Sequence, residues 1–293
     1  ALHSELIKHW KSAKFFLKLS LVKISMAQVI PFKAIRPQPD KVHLVASRSV
    51  DGYNVAELKE KLSGNPFTFL HVINPDHEDG VKTKPGSRER LVKVKNRFKA
   101  FVKEKIFLRD ESPCYYIYRQ IKNDITYTGI IACTSIDDYF SGVIKIHEQT
   151  LTQRQEKLKE YLEVCEFNAE PVLFCYPNDK KIDAFTSETI EKRADYDFTT
   201  TDKVRHTLWV VKDKKSVSLL REQFGSLKSI YIADGHHRSA SSALLGKSKR
   251  EKDKKSTGEE AYNFYLGVFF PETQLKIYDY NRVVKDLNGM SED

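Results

Sequence analysis

The chain has 293 residues, of which 40% are hydrophobic and 30% charged, with 12 glycines and 10 prolines. That length supports one large core or two modest ones. The mixture excludes collagen and a disordered tail, and no uncharged apolar run reaches the about 20 residues of a transmembrane helix. The formal charge of +9 suggests an anionic partner, yet residues 1–25 hold five lysines and one glutamate, which leaves +5 on the other 268. Cys114, Cys133, Cys165 and Cys175 form no C-x-x-C pair. They point to a reducing, cytoplasmic setting without disulfides.

Taken in chain order, residues 1–25 lack an initiator Met, and Met26-Ala27 reads as a natural start. Lys18 and Lys23 interrupt the apolar residues Phe15, Phe16, Leu17, Leu19 and Leu21, so no secretory signal is recognisable. The segment reads as a non-native or disordered extension, with a basic amphipathic membrane-surface helix as the alternative. An α+β region is expected over 26–142. Val55 to Leu62 is helix-like and stops at Ser63-Gly64-Asn65-Pro66. Leu91, Val94, Phe98 and Phe101 recur at helical spacing between Arg88 and Lys105, which predicts an amphipathic helix with a basic solvent face. Tyr115 to Arg119 and Ile125 to Thr134 flank Lys122-Asn123-Asp124 as a hairpin, and Asp137 to Gly142 reads as a turn.

A second region is expected over 143–293. Val143 to Ile146 predicts a strand, and Thr152 opens a helix with Gln155 placed for a capping box. Pro171 to Tyr176 predicts a buried strand, Asn178-Asp179 a turn, and Ile182 to Phe185 a returning strand. His206 to Val211 and Ser229 to Ala233 read as strands around a helix at Ser216 to Phe224. A helix follows from Ser239 to about Leu245, then two closing strands, Asn263 to Phe270 and Leu275 to Val284. Hairpins alternating with crossover helices imply an α+β fold with a mixed sheet.

Chemistry concentrates where the apolar run Ile230-Tyr231-Ile232-Ala233 halts at Asp234-Gly235-His236-His237-Arg238-Ser239. Amides at a helix start, the positive end of the helix dipole, a glycine that permits close approach and a bidentate arginine together suit a phosphate. Asp234 could orient an imidazole or hold magnesium. The same residues equally suit a plain helix cap. Adjacent histidines lie about 100° apart on a helix, which disfavours zinc. A second cluster, His147-Glu148, offers a carboxylate able to accept a hydroxyl proton. Asp137-Asp138 could add oxygens for a metal, although acids paired in a turn are usually solvated.

These clusters resemble the ParB/sulfiredoxin-like superfamily and in particular its free serine kinases. There, a strand ends in a His-Glu pair and a later strand runs into Asp-Gly-His-His-Arg. The wider chain resembles the domain of unknown function 1015 (DUF1015) family through Ile30-Pro31-Phe32-Lys33-Ala34-Ile35-Arg36-Pro37, Asn65-Pro66-Phe67-Thr68-Phe69-Leu70-His71-Val72 and Tyr280-Asn281-Arg282-Val283-Val284. The chain stops at Asp293, where such relatives continue, so a C-terminal truncation is expected, and Ser47-Arg48-Ser49-Val50-Asp51 replaces a Pro-Pro-Tyr-Asp run. The resemblance implies a ParB/sulfiredoxin-like core with flanking helices and a kinase using ATP or ADP with Mg2+ on a small hydroxyl compound, L-serine first. It assigns Glu148, His147 and Asp234 to catalysis, Asp234 also to metal, and Gly235, His236, His237, Arg238 and Ser239 to nucleotide phosphate. The alternative is a non-catalytic, nucleotide-binding regulatory module of the ParB type. A sulfiredoxin-like reductase is disfavoured because His236 stands where a reactive cysteine is needed. With no helix-turn-helix segment in view, neither nucleic acid nor membrane is an expected partner.

Overall fold

The computed structural model describes residues 26–291 except Tyr280, Arg282 and Leu287, so the expected extension at 1–25 lies outside the described residues. The strands are β1 (Val29–Ile30), β2 (Ile35–Pro37), β3 (Phe107–Arg109), β4 (Tyr115–Lys122), β5 (Ile125–Ser135), β6 (Ile144–Lys145), β7 (Val172–Tyr176), β8 (Tyr196–Thr199), β9 (Arg205–Val211), β10 (Ile230–Asp234) and β11 (Phe264–Pro271). The longer helices are α1 (Val55–Gly64), α2 (Arg88–Lys103), α3 (Ile136–Ser141), α4 (Thr152–Cys165), α5 (Lys180–Ile190), α6 (Lys214–Phe224) and α7 (His236–Lys252). The architecture is mixed α/β around one large mixed sheet in the order β6-β10-β7-β11-β5-β4-β9-β8, with β1 added to β5. Strands from before and after residue 143 share this sheet. Among the described residues no helix is long and apolar enough to cross a membrane.

β7 and β9 alternate buried and partly buried residues, whereas β4, β5 and β11 carry runs of consecutive buried residues. Trp209, Ile117, Ile130, Phe269, Phe174 and Ile232 are successive cross-strand partners, so they form one row across six strands. Each is at most 4% exposed. Burying such side chains is worth about 1.5–3 kcal/mol apiece, and Phe174 and Phe269 add a stacked ring pair at 4.8 Å. The β4–β5 hairpin closes through Asn123 and Asp124, both in the left-handed region (φ 48° and 62°), which matches the right-handed twist of the strands. A second apolar cluster joins α2 to α4, where Phe98 stacks on Phe167 at 4.2 Å.

Several local expectations are corrected. The predicted turn at Asp137 is the helix α3, because Ser135 Oγ accepts from the Asp137 N–H and Gly142, at φ 77°, ends the helix after six residues. Asp138 is accordingly buried, not solvated, at 1% exposure. The predicted capping box at Thr152 does not form: Leu151 is the N-cap, and the Gln155 side chain donates instead to Thr150 Oγ1. Ile182 to Phe185 is not a returning strand but part of α5, capped by Asp179 Oδ1 accepting from Lys181 and Ile182 at 2.9 Å. Residues 275–279 continue as irregular chain instead of a closing strand.

The helix read as starting at Ser239 starts three residues earlier, at His236, and runs to Lys252. Gly246 lets α7 lie close to its neighbours, since a Cβ there would fall 2.3 Å from the Tyr262 carbonyl oxygen and 2.5 Å from Ile136 Cδ1.

Candidate functional site

Strand β10 lies between β6, its parallel partner, and β7, its antiparallel partner. Its last residue is Asp234. Gly235 then reverses the chain with φ 97° and ψ 31°, a left-handed conformation that side chains disfavour, and becomes the N-cap of α7. The first hydrogen bond of the helix runs from the Ser239 N–H to the Gly235 carbonyl at 2.9 Å. The amides of His236, His237 and Arg238 therefore have no intrahelical acceptor, and no side chain caps them among the described residues. The positive pole of a 17-residue helix is presented at the end of the sheet.

Because β6 runs parallel to β10, the residues that follow β6 arrive beside this turn. His147 donates its backbone N–H to His236 Nε2 at 3.4 Å, and the two rings meet edge to face at 4.3 Å between centroids. An Nε2 that accepts leaves the ring proton on Nδ1. That atom faces Glu148 Oε2 at 3.3 Å. The His236 side chain is 2% exposed and that of Glu148 is 58% exposed, so a buried imidazole backs a carboxylate open to solvent. Burial, followed by the neighbouring His147, holds the His236 imidazole below its ordinary pKa against the opposing pull of Glu148 and Asp234. The lowered pKa favours the neutral ring, so its approach to Glu148 is a close contact and not an ion pair.

On the other flank Arg238 folds back over the turn. It donates through Nη2 to Asp234 Oδ2 at 2.6 Å and through Nη1 to the Pro171 carbonyl at 2.5 Å, with Glu170 Oε2 at 3.7 Å. A Cβ on Gly235 would stand 3.0 Å from Arg238 Nε and Nη2. Glycine is required here by its dihedral angle, whereas the guanidinium packed over it would have to yield by only a few tenths of an ångström. Asp234 is 71% exposed. His237 Nδ1 is buried without a hydrogen-bond partner among the described residues.

The structure brings together His147, Glu148, Asp234, Gly235, His236, His237 and Arg238. Ser239 is placed apart: fully buried, its hydroxyl pairs with Tyr265 OH at 2.6 Å beneath the helix. Asp137 is held by Arg250 at 2.5 and 2.9 Å. Asp138 accepts the Gln28 N–H at 2.5 Å, and burial pushes its carboxyl up to about 6. Neither acid joins the turn.

A cavity of about 590 Å3 opens on the β7 side of Arg238. Arg48 and Phe69 come to its wall from the first quarter of the chain, far in sequence from Leu158, Tyr161 and Leu162 on α4 and from Glu170. Nothing local in the Ser47-Arg48-Ser49 segment signals this placement, which follows from the packing of α2 against α4. Among the described residues, no three His, Cys, Asp or Glu side chains are grouped so as to hold a metal ion.

A family model described as "Protein of unknown function (DUF1015)" matches residues 29–293. No curated protein and no solved structure matches the chain.

Proposed function

The chain belongs to the DUF1015 family, and from that premise we propose that it transfers a phosphoryl group from ATP or ADP to the hydroxyl of a small metabolite, with free L-serine as first candidate. The observation that carries this reading is the 3.3 Å approach of Glu148 Oε2 to His236 Nδ1, which puts a carboxylate at the mouth of an uncapped helix start. The ParB/sulfiredoxin-like core belongs to the same proposal and rests on the motifs that flank β6 and β10.

In this mechanism the first-turn amides and Arg238 hold the phosphate oxygens, the helix dipole adding to the attraction. Glu148 accepts the proton of the acceptor hydroxyl while that oxygen bonds to the terminal phosphorus and the bond from phosphorus to the nucleotide oxygen breaks. His236, with its proton on Nδ1, orients Glu148. Asp234 and Glu148 are exposed hard-oxygen donors, which suits a magnesium ion carried by substrate phosphates and held by one carboxylate, Asp234. Such an ion would neutralise charge on the transferring group.

The test is incubation of the full chain with serine, magnesium and either nucleotide, with phosphoserine read by mass spectrometry. Glu148→Gln abolishes product while nucleotide binding persists. If the wild type binds nucleotide yet phosphorylates no hydroxyl compound, the kinase reading fails and the regulatory module takes its place.

A further inference from the structure

The cavity beside Arg238 has no role in the chemistry at Glu148, yet it shares Arg238 with the turn. We propose that it receives the nucleoside end of the phosphoryl donor, a deepening that rests on the function proposed above. The argument begins with the order of strands. Glu148 follows β6 on one flank of β10, whereas Glu170 and Val172, at the start of β7 on the other flank, line the cavity. The acceptor hydroxyl has to lie against Glu148. The transferring phosphorus has to lie over the helix start between the flanks. In-line transfer then puts the leaving nucleotide on the side away from Glu148, where the cavity is.

The walls suit that occupant. Phe69, Leu158, Tyr161 and Leu162 provide an apolar and aromatic surface on which a base can stack, and the volume of about 590 Å3 lies in the range of about 300–1,000 Å3 found for ligand sites. Free serine alone would leave most of it empty. Arg48 stands on the wall with its guanidinium 4.3 Å from the centre of the Tyr53 ring, and its Nε is buried with no hydrogen-bond partner among the described residues. Arg48 and Arg238 both line the cavity and give it the positive charge that suits an anionic ligand with an aromatic end.

The experiment compares ADP with inorganic pyrophosphate, which carries the phosphates without the nucleoside, by calorimetry on the full chain. Leu162 is half-buried on the cavity wall, so Leu162→Trp fills the space from the solvent side. Expected is a loss of ADP affinity of about tenfold or more, the scale of a lost base–aromatic contact, with pyrophosphate affinity within about twofold of wild type. Tyr161→Ala, which removes a stacking surface instead of adding bulk, shifts ADP in the same direction and serves if the first variant fails to fold. ADP affinity unchanged by either variant, or a wild type that binds ADP no more tightly than pyrophosphate, overturns the inference and leaves the phosphate turn standing. Binding of neither probe by the wild type overturns both. If ADP binding depends on Leu162 but no acceptor is ever phosphorylated, the nucleoside pocket stands and the kinase reading falls.

Discussion

Asp138 is the most informative single position for stability, because its carboxyl is buried at 1% exposure and its pKa is raised from 3.8 to about 6. The dominant cause is desolvation, opposed by the Gln28 N–H and reinforced by the neighbouring Asp137. Between those two pH values the folded chain binds more protons at this group than the unfolded chain does. Its contribution is therefore fully present below about pH 3.8 and is lost as pH rises through about 6. A shift of roughly two units corresponds to about 3 kcal/mol lost between acid and neutral pH. Asp138→Asn keeps an oxygen for the Gln28 N–H and removes the ionisation, at the cost of an extra buried N–H pair. Urea unfolding of both proteins at pH 4, 5.5 and 7.5 isolates the effect. The wild type minus Asp138→Asn difference should fall by about 2.4 kcal/mol between pH 4 and pH 7.5 as pH rises, the rest of the effect lying below pH 4. A difference that stays constant with pH would refute the claim that this carboxyl is ionised against its surroundings at neutral pH. The result bears on function because α3 leads through Gly142 into β6 and so to Glu148.

Two further outcomes follow from the geometry. Arg238→Ala should weaken nucleotide binding by about 1.5–3 kcal/mol, the scale of hydrogen bonds to a charged group, and calorimetry showing unchanged affinity would remove Arg238 from the phosphate site. Gly246→Ala should destabilise the chain by about 1–3 kcal/mol through overpacking, because the new Cβ would stand 2.3 Å from a backbone oxygen that has little room to retreat. A melting temperature equal to wild type would show that α7 is not seated as described.

Arg205–Val211 was legible because its alternation places one set of side chains on one face, and the strand from Tyr115 because β-branched and aromatic residues flank the turn residues Asn123-Asp124. The same holds for Arg88–Lys103, whose apolar residues recur at helical spacing. Ile182 to Phe185 misled because a four-residue apolar window does not distinguish periods; the buried positions of α5 are Ile182 and Thr189, two turns apart. Tyr196–Thr199 carried too short a signal to be seen, since an edge strand pairs on one side only. The helix was read from Ser239, and a plain cap was the alternative at Asp234-Gly235; the chain instead starts α7 at His236 with Gly235 as N-cap and no side-chain cap.

By itself, the sequence determined the strand-to-helix turn at Asp234-Gly235 and the mixed character of the sheet, since these depend on side-chain type and on short-range periodicity. Only the tertiary structure decided that Glu148 meets His236 across 88 positions, that Ser239 points into the core and that Arg48 faces the same cavity as Arg238. Those outcomes depend on parallel pairing of β6 with β10 and on packing of α2 against α4. Such long-range pairings are selected by the burial of whole faces, and no local stretch of residues encodes which faces will meet.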